Sequence, residues 1–394
     1  MTAERATVFG CGKIGRGFLG QLFHQAGYHL TFVDVVPEVV EAVNTRAAYE
    51  IQIAGPGEPR IPVGDIDAVH TSDEGAVAEA VVDARLAATA VGVPNLRATA
   101  PLIAAGLSER VRRGVAAPLD VIVCENLLSA AEVLKAAVLE HVPEPMRPDA
   151  ARRLGTVATV VGRMVPLQPP DCRDPLWTRV EPYATLPVDR FGFVGPVPSV
   201  PGMEPVDNIE ALEERKLFTH NAGHATAAYL GYLRGHGYLY EAMADPLVER
   251  LARGAMAESG AALIAKHGFA PADYQAHVDD LISRFGNRAL GDQVARVGGQ
   301  PLRKLGPEDR LIGAAHLALE YGGGARCLAL AVAAALRYRN PADPQAVELA
   351  ALVEAKGEEG VLADVCGLSP DEPLWGLVRE ASGALRDGSA WGVY

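Results

Sequence analysis

The stretch ATVFGCGKIGRGFLG, residues 6–20, decides how the first half of this chain folds. Its first residues predict a buried strand, and glycines follow in the spacing G-x-G-x-x-G at the start of a predicted helix. In that spacing one glycine makes a tight turn, one lets the backbone approach a pyrophosphate, and one permits close packing of helix on sheet. The free N–H groups of the helix start favour an anion. The predicted dinucleotide site comprises Gly10, Cys11, Gly12, Lys13, Ile14 and Gly15.

A carboxylate follows the glycine turn at the expected distance. Asp34 ends the predicted strand HLTFVD (29–34), where such a group bonds the adenosine ribose hydroxyls. A carboxylate there repels a 2′-phosphate, and no arginine follows directly, so we expect NAD rather than NADP as the cofactor. Val91 and Gly92, at the end of a later apolar run, complete the predicted cofactor site.

Short apolar runs alternate with amphipathic stretches over the first 125 residues. Such alternation is typical of a parallel sheet covered on both faces. A hairpin is predicted over 49–63, with its turn around Gly55 to Gly57. The predicted strands are 6–10, 29–34, 87–92 and 120–126, and the predicted helices are 18–27 and 37–48.

The pattern changes after residue 165. Prolines are frequent from there to residue 207, where they break helices and suit edges and turns. Beyond that the chain becomes helical, and residues 208–235 predict the first long helix. The fold class we expect is α/β, an N-terminal Rossmann-type doubly wound sheet over residues 1–190 followed by a mainly α-helical substrate domain over 191–394.

Bulk properties exclude several classes of protein. The net charge of −13 over 394 residues argues against nucleic acid or an acidic membrane as partner. The N-terminus lacks the pattern of a signal peptide, and no apolar run reaches the roughly 20 residues that span a bilayer. The five cysteines are scattered without metal-ligand or redox spacing. We therefore expect reduced thiols, no metal site and a cytoplasmic location.

The run KLFTHNAGH, residues 216–224, contains groups suited to hydride transfer between an alcohol and a carbonyl. At about 100° per residue, Lys216, Asn221 and His224 lie within a roughly 140° arc of one helix. A lysine of lowered pKa can take the alcohol proton, an amide can stabilise the oxyanion, and a histidine can orient the base. His220 falls on the same arc, so geometry does not choose between the histidines. The alternative is the polar face of an ordinary helix.

Several motifs resemble those of the polyol-specific long-chain dehydrogenase/reductase family: FGCGKIGRGFLG, TAVGVPNL, VCENLL, GRMVP and above all ERKLFTHNAGHA. The similarity covers nearly the whole chain. It implies metal-independent, NAD-linked interconversion of a polyol phosphate and a ketose phosphate, with mannitol 1-phosphate and fructose 6-phosphate as the expected pair. By position, the resemblance makes Lys216 the general acid/base and Asn221 an oxyanion donor. It makes His224 the group that holds Lys216 or the substrate oxygen, and Asn126, in CEN, the second oxyanion donor.

Two positions depart from the family pattern. Gly162 stands where the family usually has the aspartate of VDR, and Gly299 stands where it usually has the arginine of RVGRQPLRKL. Both changes concern substrate recognition, so the same chemistry on a different sugar or cyclitol remains an alternative, as does a non-catalytic NAD-binding sensor. Arg303 and Lys304 could equally be solvated at a helix start. The basic candidates for a substrate phosphate are Arg163, Arg303 and Lys304, with Arg284 and Arg288 beside them.

Overall fold

A computed structural model describes residues 3–169 and 171–393. The chain divides into two compact units, residues 1–209 and 210–394. The sequence predicted a division near residue 190. The segment after 190 belongs instead to the first unit, because its strand Met203–Val206 pairs with Leu186–Asp189. Within the described residues no helix is long and apolar enough to cross a membrane.

The first unit contains the strands. In chain order they are β1 (Arg5–Phe9), β2 (His29–Asp34), β3 (Ala48–Ile53), β4 (Arg60–Gly64), β5 (Ile66–His70), β6 (Ala84–Thr89), β7 (Leu119–Val123), β8 (Leu154–Ala158), β9 (Thr178–Val180), β10 (Leu186–Asp189) and β11 (Met203–Val206).

One sheet has the order β5-β2-β1-β6-β7-β8, and all of its pairings are parallel. The connections reverse direction between β1 and β6. That is the switch point at which doubly wound sheets bind ligands, beyond the carboxyl ends of the strands. The predicted doubly wound sheet is therefore confirmed, although β5 and β8, its two edge strands, were not among the predicted strands.

Helices cover both faces of this sheet. Alternate strand residues point to opposite faces, so Val8 and Phe32 belong to one buried cluster, while Phe9 and Val33 belong to the other. The helices of the first unit are α1 (Gly20–Gln25), α2 (Pro37–Arg46), α3 (Glu74–Asp83), α4 (Val93–Arg112), α5 (Ala130–His141) and α6 (Arg147–Arg153).

Two smaller sheets flank the large one. Strands β3 and β4 pair antiparallel across residues 54–59, which confirms the predicted hairpin, and β9 adds in parallel to β3. Strands β10 and β11 form a parallel pair, and Val188 of β10 also bridges to Thr159. These contacts keep the proline-rich segment with the first unit.

The second unit is helical. Its longest helix begins at the Asp245 side chain, which accepts the N–H of Leu247 at 3.0 Å, and ends at Gly268 with a φ of +71°. The helices are α7 (Ile209–Arg215), α8 (Ala222–Leu233), α9 (Leu239–Ala244), α10 (Pro246–His267), α11 (Pro271–Phe285), α12 (Val294–Gly298), α13 (Pro301–Lys304), α14 (Ile312–Glu320), α15 (Arg326–Ala335), α16 (Pro344–Asp364), α17 (Pro373–Asp387) and α18 (Ala390–Val393).

Helix α15 forms the centre of the second unit. Its residues from Leu328 to Ala335 are fully buried, as expected for a helix that is apolar all round. Small residues let the neighbouring helices approach closely, and Gly254 of α10 leaves no room for a Cβ beside the Cys327 sulfur of α15. This packing fixes α8 and α10, the helices that carry the features described below.

Two helical runs contain a π turn. The first is Gly15–Leu19, directly before α1, and the second is Lys216–Asn221, between α7 and α8. The predicted long helix over 208–235 is thus a continuous helical run from Ile209 to Leu233, but its middle is not an α-helix. The π turn changes how side chains are arranged along that run.

Candidate functional site

The glycine turn after β1 is tight at two positions and open at a third. Gly10 has a φ of +96°, and a Cβ there would lie 2.5 Å from the carbonyl oxygen of Ala90. At Gly15 a Cβ would overlap the carbonyl oxygen of Gly10, whereas nothing lies within 4 Å of a Cβ at Gly12. Lys13 is exposed and Ile14 is half-buried. The turn is therefore open where a pyrophosphate would approach the backbone.

Asp34 closes the same turn from the end of β2. Its Oδ2 accepts the N–H of Cys11 at 2.6 Å, and its Oδ1 accepts the N–H of Val36 at 2.9 Å. The carboxylate lines a cleft of about 370 Å³ whose other walls include Phe9 and Leu102. A mostly apolar cleft suits an adenine ring, and a carboxylate with spare acceptor capacity suits ribose hydroxyls. The residues present therefore fit a dinucleotide.

A buried carboxylate that the sequence did not predict shapes the far side of this cleft. Glu125, 6% exposed, accepts the Thr89 hydroxyl at 2.6 Å and the N–H groups of Val91 at 2.9 Å and Gly92 at 3.3 Å. Burial raises the pKa of Glu125, and these hydrogen bonds oppose the rise. The carboxylate ties the turn after β6 to the end of β7, where Asn126 is exposed. In the sequence, the glutamate of the motif CEN was the residue that could have indicated this contact.

In the second unit the π turn brings two predicted catalytic residues to one side of their helix. Residues five apart point about 140° apart on an α-helix, but the i→i+5 bonds of a π turn place them on neighbouring turns of the same side. Lys216 and Asn221 are five apart, and His224 follows on the first turn of α8. Lys216 is half-buried, and Asn221 is 9% exposed.

The His224 ring is held between an aromatic ring and an acid. It stacks on Phe285 with ring centroids 4.7 Å apart, and its Nε2 lies 3.5 Å from Asp292 Oδ2. Asp292 also binds the Arg296 guanidinium through both oxygens. Burial lowers the pKa of His224, and Asp292 only partly opposes this, so the imidazole is neutral near pH 7. Sequence spacing gave no signal for the His224–Asp292 pair.

His220 differs from His224 in its surroundings. It is 6% exposed, with its ring centroid 5.5 Å from that of Phe285 and 6.0 Å from that of His224. Burial lowers its pKa well below the usual range, and the nearby Arg284 adds to this effect. His220 is thus a neutral packing neighbour of His224, a distinction that the sequence could not make.

Two of the predicted substrate residues lie in a cluster of cations. Lys304 of α13 is 6% exposed and donates to the carbonyl oxygen of Val297. Burial lowers its pKa well below the usual range, and Arg310 and Arg303 add to this. Arg303 keeps 43% of its side chain exposed, with its Nη1 3.1 Å from Asp309 Oδ2. Lys304 also contributes to the lowered pKa of His224, so the cluster lies close to that ring.

Arg163, the third predicted substrate residue, makes structural contacts within the first unit. It is 4% exposed and belongs to the first unit. Its Nη1 donates to the Gly17 carbonyl at 3.0 Å and to Gln21 Oε1 at 2.7 Å, and its Nε donates to the Glu181 carbonyl at 3.0 Å. Arg163 thus holds the π turn behind the glycine loop, and its substrate contact stays a prediction.

The thiols are buried or half-buried and unpaired with one another. Burial raises the pKa of Cys11 to about 11 and that of Cys366 to about 12, so both stay protonated near pH 7. Within residues 3–169 and 171–393, no three or more His, Cys, Asp or Glu side chains are grouped so that they could hold a metal ion.

Two family models match the chain in order. The mannitol dehydrogenase Rossmann domain matches residues 4–202, and the mannitol dehydrogenase C-terminal domain matches residues 208–362. The chain belongs to the mannitol dehydrogenase family. This membership confirms the resemblance to the polyol-specific dehydrogenases, and the chain is accordingly a polyol dehydrogenase. A non-catalytic sensor is therefore not supported.

Individual relatives agree with this assignment. A mannitol-1-phosphate 5-dehydrogenase of Brevibacillus brevis is 41% identical over 384 residues, which are 98% of this chain and 99% of that protein. Pseudomonas fluorescens mannitol 2-dehydrogenase, solved in ternary complex with NAD and D-mannitol, has a TM-score of 0.80 at 19% identity, covering 99% of this chain and 93% of that chain. D-sorbitol dehydrogenase in substrate-free form has a TM-score of 0.78 at 18% identity, covering 99% and 94%. Both structures share the fold of this mannitol dehydrogenase family member.

Proposed function

We propose that this dehydrogenase interconverts mannitol 1-phosphate and fructose 6-phosphate, using NAD as cofactor and no metal. The observation that carries the proposal is the placement of Lys216, Asn221 and His224 on one π-containing helical run, in a chain 41% identical to a mannitol-1-phosphate 5-dehydrogenase. The open glycine turn and Asp34 support NAD. When bound, NAD accepts a hydride from the alcohol carbon and thereby oxidises the alcohol to a ketone.

The protein supplies the proton transfer. Lys216, as the neutral amine, takes the hydroxyl proton in the oxidising direction and returns it in the reducing direction. Asn221 donates an N–H to the same oxygen while negative charge develops on it. His224, held against Phe285, orients Lys216 or the substrate oxygen. Asn126 remains a proposed second donor on the strength of the resemblance alone.

The cation cluster contains the residue that we propose binds the substrate phosphate. Arg303 is the group we assign to the phosphate, because its partly exposed guanidinium can offer two parallel N–H groups to an anion. Lys304 is buried and already donates to a carbonyl, which makes it a poorer phosphate ligand than Arg303. Since it acts on the pKa of His224, we assign it to a substrate hydroxyl near that ring. On this proposal the first unit holds the cofactor, and the second supplies the proton-transfer group and the phosphate ligand.

The test is a steady-state measurement of NADH oxidation with fructose 6-phosphate and with unphosphorylated fructose. We expect turnover of the phosphate ester to be preferred, unchanged by a chelator, and Arg303→Ala to raise KM for fructose 6-phosphate far more than KM for fructose. A matched control is Arg386→Ala, since Arg386 is an exposed surface arginine in a weak ion pair. Preference for fructose over its phosphate would contradict the assignment.

One observation favours a second candidate, the same hydride chemistry on a different sugar or cyclitol. A Cβ at Gly162 would lie 3.2 Å from the Tyr183 ring, so a larger side chain at 162 requires the tyrosine to move. Tyr183 therefore occupies space that the family aspartate would take. A panel of ketoses and keto-cyclitols, with and without phosphate, separates the candidates: a substrate with higher kcat/KM than fructose 6-phosphate would establish the second.

A further inference from the structure

The π turn that carries Lys216 receives a hydrogen bond from another helix. Ser259 of α10 is fully buried, and its Oγ donates to the carbonyl oxygen of Phe218 at 2.6 Å. A serine within a helix commonly bonds a carbonyl of its own preceding turn. Here those carbonyls, of Ala255 and Met256, are both 3.3 Å away. The hydroxyl proton can serve one acceptor well, and the short distance selects Phe218.

The acceptor lies inside the irregular part of the helix. A π turn is rare because its hydrogen bonds are less favourable than those of an α-helix, and it persists where neighbouring groups stabilise it. A buried hydroxyl aimed at one of its carbonyls is such a group. If residues 216–221 relaxed to an α-helix, Lys216 and Asn221 would again point about 140° apart.

Other neighbours fit the π form around the same carbonyl. The Thr219 hydroxyl is bonded to the Tyr274 hydroxyl of α11. The Phe218 ring lies against Gly313 of α14, where a Cβ would come within 2.9 Å of the ring. Helices α10, α11 and α14 therefore all contact the π turn, and Ser259 provides the contact to its backbone.

We propose that Ser259 is a positioning residue: its hydroxyl holds residues 216–221 in the π form and thereby aligns Lys216 with Asn221 and His224. The proposal rests on the proposed role of Lys216 in proton transfer. Ser259 itself lies in the core and contacts the backbone of the catalytic run rather than substrate.

The activity test compares Ser259→Ala with Ser259→Thr, which keeps the hydroxyl. We expect Ser259→Ala to lower kcat about 10- to 100-fold with KM for fructose 6-phosphate changed less than threefold, because misplacing a catalytic group by about 1 Å costs rate rather than binding. Ser259→Thr should recover most of kcat. The matched control is Ser108→Ala, which removes another buried serine hydroxyl bonded at 2.7 Å to a helix carbonyl, in the first unit.

A crystal structure of Ser259→Ala gives a readout that needs no activity. We expect residues 216–221 to have lost i→i+5 pairing in that variant and to have kept it in Ser259→Thr. An unchanged π turn, or a kcat within twofold of the parent, would overturn the inference. If the parent protein turns over no polyol phosphate, the proposed substrate fails while the structure still decides the role of Ser259. Should the alanine variant not fold, Ser259→Cys, whose S–H is a weak donor, is judged by the same two readouts.

Discussion

The two π turns of this dehydrogenase are built alike and used differently. In Gly15–Leu19 a buried donor from elsewhere binds a carbonyl inside the turn: the Tyr49 hydroxyl donates to Arg16 at 2.8 Å. In Lys216–Asn221 the Ser259 hydroxyl does the same for Phe218 at 2.6 Å. Each irregular turn is thus supported by a hydroxyl that lies far away in the sequence.

The difference lies in what each turn presents. The first consists of glycine and core residues, all buried, and lies behind the glycine loop, so its contribution is the close approach of backbone to backbone. The second begins with the half-buried Lys216 and ends with Asn221, so its contribution is the alignment of side chains. The same backbone device therefore shapes a cofactor cleft in one unit and the proposed catalytic helix in the other.

The largest effect should come from Lys216 itself. Lys216→Ala removes the proposed proton acceptor, and general acid–base groups contribute about 10²- to 10⁴-fold, so we expect kcat to fall by that factor. NAD binding, measured by calorimetry, should be unchanged, because the glycine turn belongs to the first unit. Lys356→Ala, at an exposed ion pair, is the control. Turnover of the lysine variant at the parent rate would show that the second π turn does not serve catalysis.

The first π turn should be sensitive to a single methyl group. In Gly15→Ala the new Cβ overlaps the Gly10 carbonyl, so the helix must move away from the glycine loop. Overpacking of this kind costs roughly 1–3 kcal/mol. We expect lower unfolding free energy in urea and at least tenfold weaker NAD binding. Gly376→Ala, inside α17 with open space around its Cβ, should leave NAD affinity unchanged and raise the unfolding free energy by roughly 0.5–1 kcal/mol. Unaltered NAD affinity in Gly15→Ala would contradict the close packing.

Removing the Tyr49 hydroxyl tests whether the first π turn depends on its supporting hydroxyl as the second is proposed to depend on that of Ser259. Tyr49→Phe leaves the buried Arg16 carbonyl without its side-chain donor, which costs about 1–3 kcal/mol of unfolding free energy. Because that turn packs behind the glycine loop that would hold the cofactor, NAD affinity should fall while kcat at saturating NAD stays near the parent value. A Tyr49→Phe variant with lowered kcat and normal NAD affinity would reverse the assignment of the two turns.

The smallest expected effect is on the stability of the protein at acid pH. Burial and nearby Arg215 and Arg284 lower the pKa of His277, on α11, to about 3. In the unfolded state the pKa of His277 is about 6.5, so on acidification the unfolded state takes up a proton before the folded state does. The unfolding free energy therefore falls as the pH drops below about 6.5. The loss for a half-buried histidine is below the full value of about 1.4 kcal/mol per pH unit. Urea unfolding at pH 7 and at pH 5 gives two unfolding free energies for each protein. Their difference should be smaller in His277→Gln than in the parent protein, and an equal difference would refute this.

Local features of the site were readable from the sequence. The glycine turn depends on residues within a few positions of one another, so Gly10, Gly12 and Gly15 could be assigned their geometry in advance. The long helical run over 208–235 was also readable, because apolar residues recur with helical period. Both depend on local sequence alone.

Features that depend on distant partners were not readable. The π form of 216–221 is supported by Ser259, 41 residues later in the chain, and no periodicity reports such a contact. The pairing of His224 with Asp292 is equally remote. Strands β5 and β8 were missed because they are the edges of the sheet, where IDAVH and LGTVA lack the continuous apolar run of a central strand.

The π turn also bears on insertions and deletions. A π turn contains one residue more than the α-helical turn it replaces, so removing Leu217 would give a regular helix with better backbone hydrogen bonds. In that regular helix Lys216 and Asn221 would be four residues apart, about 40° around the helix axis, so both would stay on the side that carries His224. An α-helix of unchanged length would instead place Lys216 and Asn221 about 140° apart. The π turn therefore absorbs one extra residue without rotating the flanking helices, and loss of the π turn at full chain length, rather than loss of one residue, is the change that would separate the proposed catalytic side chains.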